Sequence, residues 1–383
     1  MSADDQRMLD RFVRLCEIAS PTGEERAIAD AVLEELRGLR IEVAEDSAAK
    51  PARAAAGNLI ARVPGREDRW LSFFCHLDTV PHDDPIEVAR ENGVFRSSGD
   101  TILGADNKAA VTVLMELAAR RASDPAALGL ELVFTVAEED GLRGARELDT
   151  SVLCSPFGFV LDHATPIGEV IVAAPTYKRL IAEFTGHEAH AGINPEEGSS
   201  AIAAAAAAVA GMRLGRLDDE TTANVGMIEG GIASNVVPGH CRILGEARSV
   251  DGERAAATVG EMVDACTWAA GEQGCDVDTR VIEMFRGYRV DPKSAPVRVA
   301  CEALRRTGHE PSLVHTGGGS DANALLSAGY EALLLANGTE ANHTPDELVS
   351  SAAIVEMLAV CEAALECAAE EPGAESSDVQ ADA

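Results

Sequence analysis

The 383-residue chain carries 64 acidic against 32 basic side chains, a formal charge of −32, with 46% hydrophobic and 4% aromatic residues. That balance describes an ordinary globular protein long enough for two domains, and it repels phosphate backbones and anionic lipid, which excludes nucleic acid and membrane surfaces as partners. No stretch approaches the roughly twenty apolar residues of a membrane span, the acidic, amphipathic start is unlike a signal peptide, and nine cysteines without a C-x-x-C pair point to a reducing cytoplasm.

Apolar residues at helical spacing, Ala27, Ile28, Val32, Leu33, Leu36 and Leu39, follow the polar loop Ser20-Pro21-Thr22-Gly23 and predict a capped helix. A strand to Arg62, one ending at His76, a helix opening near Asn107, the strand LELVFTVAEE and the strand GFVLD come next. Continuously apolar strands alternating with helices predict an α/β domain whose mostly parallel sheet is flanked by helices. From about Ala174 the texture changes, because RLIAEFTG and CRILGEARS alternate apolar and polar residues. The order there is strand, helix 199–212, strand 221–230, strand 241–249, helix 252–271 and strand 277–284. That is βαββαβ, a ferredoxin-like α+β insert whose edge strands could pair two copies into a homodimer. After Asp291-Pro292 come a helix, the strand PSLVHTGG, a helix, the strand EALLLANG and a last helix to about Ala369. The expected division is one catalytic domain from 1–173 and 288–370, an inserted lid or dimerisation domain at 174–287, and a disordered acidic tail at 371–383.

Five potential metal ligands, His76, Asp106, Glu139, Asp162 and His343, stand in loops, four of them where an apolar strand runs out. In open α/β sheets functional groups gather beyond the carboxyl ends of the strands. His76 and Asp78, at i and i+2, leave their strand on one side, so the Asp78 carboxylate is expected to take the other ring N–H and orient the imidazole. Two divalent cations about 3.5–4 Å apart need a bridging carboxylate, a bridging water and one or two more ligands each. Five ligands and a water meet that count, and the Glu138-Glu139 pair can divide the work, one coordinating while the other takes a proton from the bridging water and passes it to a leaving amine. Two imidazoles favour zinc, manganese or cobalt over calcium. Serine-elbow, H-E-x-x-H, G-x-G-x-x-G and Walker motifs do not occur. Gly317-Gly318-Gly319 could cradle an anion, or could simply turn the chain between strand and helix.

The ordered set SPTGEER, CHLDTVP, TILGADNKAA, TVAEEDGLRGA, GFVLD, GHEAHAG, SNVVPG, EARS, TGGGSDAN and NHT closely resembles the peptidase T-like tripeptidases over about residues 8–370. These belong to a zinc exopeptidase superfamily with carboxypeptidase G, aminoacylase and succinyl-diaminopimelate desuccinylase. The resemblance implies two Zn²⁺, with Mn²⁺ or Co²⁺ as substitutes. His76 and Asp162 would hold one, Glu139 and His343 the other, and Asp106 would bridge them. It implies Glu138 as general base, a cis peptide after Asp106, His190 at the oxyanion, and Asn235 and Arg248 on the substrate's polar end. Tripeptidases proper have an aspartate where this chain has Asn107, and a small residue where it has His163. The reading is a cytoplasmic di-zinc exopeptidase acting on short peptides, with an N-acyl amino acid amidohydrolase as the nearest rival and a non-catalytic, metal-stabilised scaffold as a more distant one.

Overall fold

A computed structural model describes residues 3–371; apart from Glu371, the expected tail at 371–383 lies outside the described residues. The chain divides into two compact units, one running to Val172 and including Val290–Val314 and the chain from Ser320, the other made of Ala173–Arg289 with His315–Gly319.

In the first unit the strands Trp70–His76 and Gly129–Thr135 are apolar and buried over nearly their full length, as strands covered on both faces must be. They pair in parallel, with His76 opposite Thr135. Phe157–His163 joins Trp70–His76 in parallel, and Glu331–Ala336 joins Phe157–His163 in the same sense. Four neighbouring strands therefore end along one edge. The margins are antiparallel: Leu59–Val63 against Gly129–Thr135, Glu42–Glu45 against Leu59–Val63, and Glu169–Ala174 against Glu331–Ala336. The sheet is largely parallel through its centre, and helices Ala105–Ser123, Ala295–Arg306 and Ser351–Glu370 contribute Val113, Leu117, Val299, Leu304, Leu358 and Leu365 to the core around it.

Helix Arg26–Gly38 buries Ile28, Val32, Leu33 and Leu36, but its start departs from the expected cap. Glu25 occupies the N-cap without a capping side-chain bond. Its carboxylate instead accepts from the backbone N–H of Gly23 at 2.7 Å and of Ala55 at 2.9 Å, tying two loops together. Helix Ala3–Cys16 and a four-stranded antiparallel sheet of Val88–Glu91, Val94–Ser97, Leu348–Ser350 and Thr339–Glu340 also lie outside the sequence expectations.

Gly144 begins a tight return after the Gly129–Thr135 strand, donating its N–H to the Val136 carbonyl at 2.9 Å. A Cβ there would fall 2.1 Å from that carbonyl oxygen and 2.6 Å from Asn58 Oδ1. Gly144→Ala is expected to destabilise the fold by about 1–3 kcal/mol, the usual cost of overpacking, measured as a shift in the urea midpoint; an unchanged midpoint would show that this turn has room.

The second unit is an antiparallel five-stranded sheet in the order Gly215–Asp218, Thr221–Gly230, His240–Ser249, Thr176–Thr185, Asp276–Phe285. Helices Ala201–Gly211 and Gly252–Glu272 bury Ala204, Ala208, Met262 and Cys266 together with Leu180, Ala182, Phe184 and Ile243. Ser200 caps the first helix through the Ala203 N–H, and Asp251 caps the second through Glu253 and Arg254. This is the βαββαβ order with one short strand added. Gly215–Asp218 covers Thr221–Gly230 only as far as Ala223, so among the described residues the outer edge from Asn224 to Gly230 is open, with Met227 and Ile228 exposed.

Candidate metal centre

The four parallel strands deliver the polar side chains to one place. His76 ends its strand, Asp162 lies one residue before the end of Phe157–His163, and Glu138 and Glu139 follow Gly129–Thr135 through a turn in which Ala137 has a positive φ of 52°. Asp106 lies at the irregular first turn of Ala105–Ser123, preceded by Gly104 at φ 72° and followed by a cis peptide to Asn107. His343 lies in the loop after Thr339–Glu340.

The two oxygens of Asp106 divide these residues into two groups. His76 Nε2 lies 3.2 Å from Asp106 Oδ1 and 3.3 Å from Asp162 Oδ1. On the other side His343 Nε2 lies 3.2 Å from Asp106 Oδ2 and 3.0 Å from Glu139 Oε1. The donor atoms of His76, Asp106 and Asp162 all fall within 4.8 Å of one another, as do those of Asp106, Glu139 and His343, and of His76, Glu138 and Glu139. An imidazole and a carboxylate on each side of a shared carboxylate is a donor set that fits a pair of divalent cations.

Electrostatics support that fit. Burial pushes Asp162 up to about 8, with the Asp106 charge adding to it, and burial together with Asp162 drives Glu138 well above the carboxylate range. Burial likewise raises Glu139. Hydrogen bonds to Asp106 and Glu139 lift His343 to about 10, and His76 is raised well above its ordinary value by Asp162 and Asp106 even though burial opposes it. Upward shifts at three carboxylates and both imidazoles mark a buried cluster of negative charge, which bound cations would offset.

Asp78 is placed differently from the simplest expectation. The His76 ring Nδ1 lies 2.9 Å from the Asp78 backbone carbonyl, whereas the nearer carboxylate oxygen is 3.6 Å away, beyond a hydrogen bond. The carboxylate instead accepts from Thr22 Oγ1 at 2.7 Å and from the N–H groups of Glu138 at 3.0 Å and Glu139 at 3.2 Å. Asp78 thus fixes the Glu138-Glu139 turn as well as the imidazole. Asn342, which no ligand spacing marks, donates to Asp106 Oδ2 at 2.8 Å. Asn107 donates to the Leu161 carbonyl at 2.8 Å and to Asp162 Oδ1 at 3.1 Å. His163 turns toward Glu169, at 3.9 Å.

His190, Asn235, Arg248 and Gly318 belong to the second unit. There the His190 and Asn235 loops lie side by side: His190 bridges Val236, and the Ala191 N–H donates to the Asn235 carbonyl at 3.0 Å. Both side chains are exposed. The Arg248 guanidinium stacks 4.3 Å from the Tyr177 ring centre, donates through Nη1 to the Gly317 carbonyl, and meets both oxygens of Glu246 at 3.1 Å. Gly318 is exposed and its N–H donates to Thr316 Oγ1.

Comparison with known proteins assigns the class. A peptidase dimerisation domain of the M20 type matches residues 176–273, and the model of peptidase family M28 matches residues 58–157. With the clustered donors, these define a metal-dependent peptidase. The aminopeptidase PepT from Bacillus cereus superposes with a TM-score of 0.84 at 36% identity, over 95% of this chain and 99% of that one. A tripeptidase from Staphylococcus aureus superposes with a TM-score of 0.89 at 33% identity, over 96% of this chain and 99% of that one. The protein YqjE of Bacillus subtilis is 36% identical over 90% of this chain and 93% of its own length. The chain belongs to the peptidase T-like branch of the M20 metallopeptidases.

Proposed function

We propose that the protein is a di-zinc aminopeptidase that releases the amino-terminal residue of short peptides, tripeptides foremost. The single observation that carries this reading is the division of Asp106 between two imidazole-carboxylate pairs, His76 with Asp162 and Glu139 with His343. The similarity to an aminopeptidase and to a tripeptidase supports the substrate class.

Two zinc ions bound there would polarise the scissile carbonyl and lower the pKa of water toward neutrality. Asp106 holds the two halves of the donor set in register. Glu138 takes the proton of the attacking water and delivers it to the departing amine, a role suited to a carboxylate whose proton affinity burial has raised. Asp78 keeps Glu138 in place through the backbone N–H. His190 is assigned to the oxyanion, and Asn235, Arg248 and Gly318 to the polar end of the substrate. The open strand edge from Asn224 to Gly230 and the matched dimerisation domain support a homodimer built through the second unit. No helix among the described residues is long and apolar enough to cross a membrane. Nine free cysteines, six of them buried, suit a cytoplasmic setting.

The test is side-by-side turnover of tripeptides, dipeptides and N-acyl amino acids by protein of measured metal content. A free amino-terminal residue should appear from tripeptides, vanish on chelation and return with Zn²⁺, Mn²⁺ or Co²⁺. Cleavage of acyl amino acids with every tripeptide left intact would make the protein a deacylase instead.

A further inference from the structure

Glu347 lies four residues beyond His343, is 1% exposed, and touches none of the clustered donors with its own carboxylate. The hydrogen bonds of the carboxylate go to one loop. Oε2 accepts from the N–H groups of Leu103 and Gly104, and Oε1 from that of Asp106, each at 2.8 Å. Three N–H donors on one buried carboxylate form a charge-assisted clamp in a setting where neither side could find water if the other were removed. The same loop that carries Glu347 also carries Asn342 and His343, whose side chains meet Asp106 Oδ2 at 2.8 and 3.2 Å. One segment therefore holds the aspartate from both ends: Asn342 and His343 by its carboxylate, Glu347 by its backbone.

We infer that Glu347 is a positioning residue that locks the Asp106 loop to the His343 loop, so that it controls how tightly the second of two metals is held. This rests on the two-metal reading above. His76 and Asp162 come from adjacent parallel strands whose register is fixed by the sheet itself. Their pair needs Asp106 less for its geometry. Glu139 and His343 come from loops: Asp78 holds the turn of Glu139, and Glu347 ties the loop of His343 to that of Asp106. Loss of the clamp should accordingly fall on the Glu139-His343 side.

The experiment titrates the metal-free protein with Zn²⁺ against a competing chelator, and with Co²⁺ followed by its visible absorption, for the wild type and for Glu347→Gln. Glutamine keeps the shape but loses the charge and turns an NH₂ group toward a backbone donor. The expected result is two equivalents in the wild type, and in the variant a first equivalent within about threefold of normal with a second weakened roughly 10–100-fold, the usual consequence of removing an outer partner of a ligand. Equal weakening of both equivalents, or of neither, overturns the assignment of Glu347 while leaving the two-metal reading intact. A wild type that takes up fewer than two equivalents overturns that reading, and this inference with it. If the variant does not fold, amide exchange in the metal-free wild type decides. The N–H groups of Leu103, Gly104 and Asp106 should stay protected after chelation, because their partner is a side chain and no ion; rapid exchange of all three overturns the proposal.

Discussion

Glu138→Ala is expected to keep two metal ions per chain and lose turnover by about 10²–10⁴-fold, the range that positioned acid-base groups contribute. The reason lies in the partition of the carboxylates. Among the described residues Asp106, Glu139 and Asp162 each lie within hydrogen-bonding distance of an imidazole, whereas Glu138 approaches His76 only to within 4.8 Å. Glu138 is 7% exposed, and burial with the charge of Asp162 raises it, the direction that suits a group passing a proton from water to amine. Elemental analysis and steady-state kinetics on the same preparation separate the roles. Loss of one metal along with activity would make Glu138 a ligand, and unchanged turnover would remove it from the reaction.

Asp106→Ala should have the opposite pattern, with the metal content itself collapsing. Among the described residues only this side chain lies within hydrogen-bonding distance of both imidazoles, and its removal separates the His76-Asp162 pair from the Glu139-His343 pair. The expected loss exceeds the roughly 10–100-fold that outer partners cause, because a shared ligand is taken from both ions. The second consequence is thermal. Ligands that bind only the native state raise stability by mass action, so Zn²⁺ should raise the melting temperature of the wild type and scarcely move that of the variant. A variant that melts higher with Zn²⁺, as the wild type does, would show that the remaining four residues suffice.

Much of this centre was legible in the sequence because a strand end is a local feature. Apolar runs such as Leu71–Cys75 state their own direction and burial, and a His or Asp just beyond them inherits a position. What stayed hidden depends on partners far along the chain. Asp78 reads as the orienting group of His76, yet its carboxylate is committed to the N–H groups of Glu138 and Glu139, 60 and 61 positions away. Glu347 reads as one more acid in a polar loop, and its three backbone donors lie more than 240 positions earlier. Backbone N–H groups have no residue type, so no motif announces them. The antiparallel margins were hidden for a related reason: the apolar run of Leu59–Val63 is the same whichever way its neighbour runs. Strands as short as Thr339–Glu340 are too brief to show a period at all.

The order of the strands across the parallel sheet differs from their order in the chain. Glu139 and His343 meet across 204 positions, and the whole second unit is translated between them. During synthesis the growing polypeptide therefore carries four of the five donors for a long interval without the fifth. Contacts of such separation form late in folding. Assembly of the full donor set is thereby tied to the maturation of the entire first unit, and a fragment ending before His343 would lack one of the five donors.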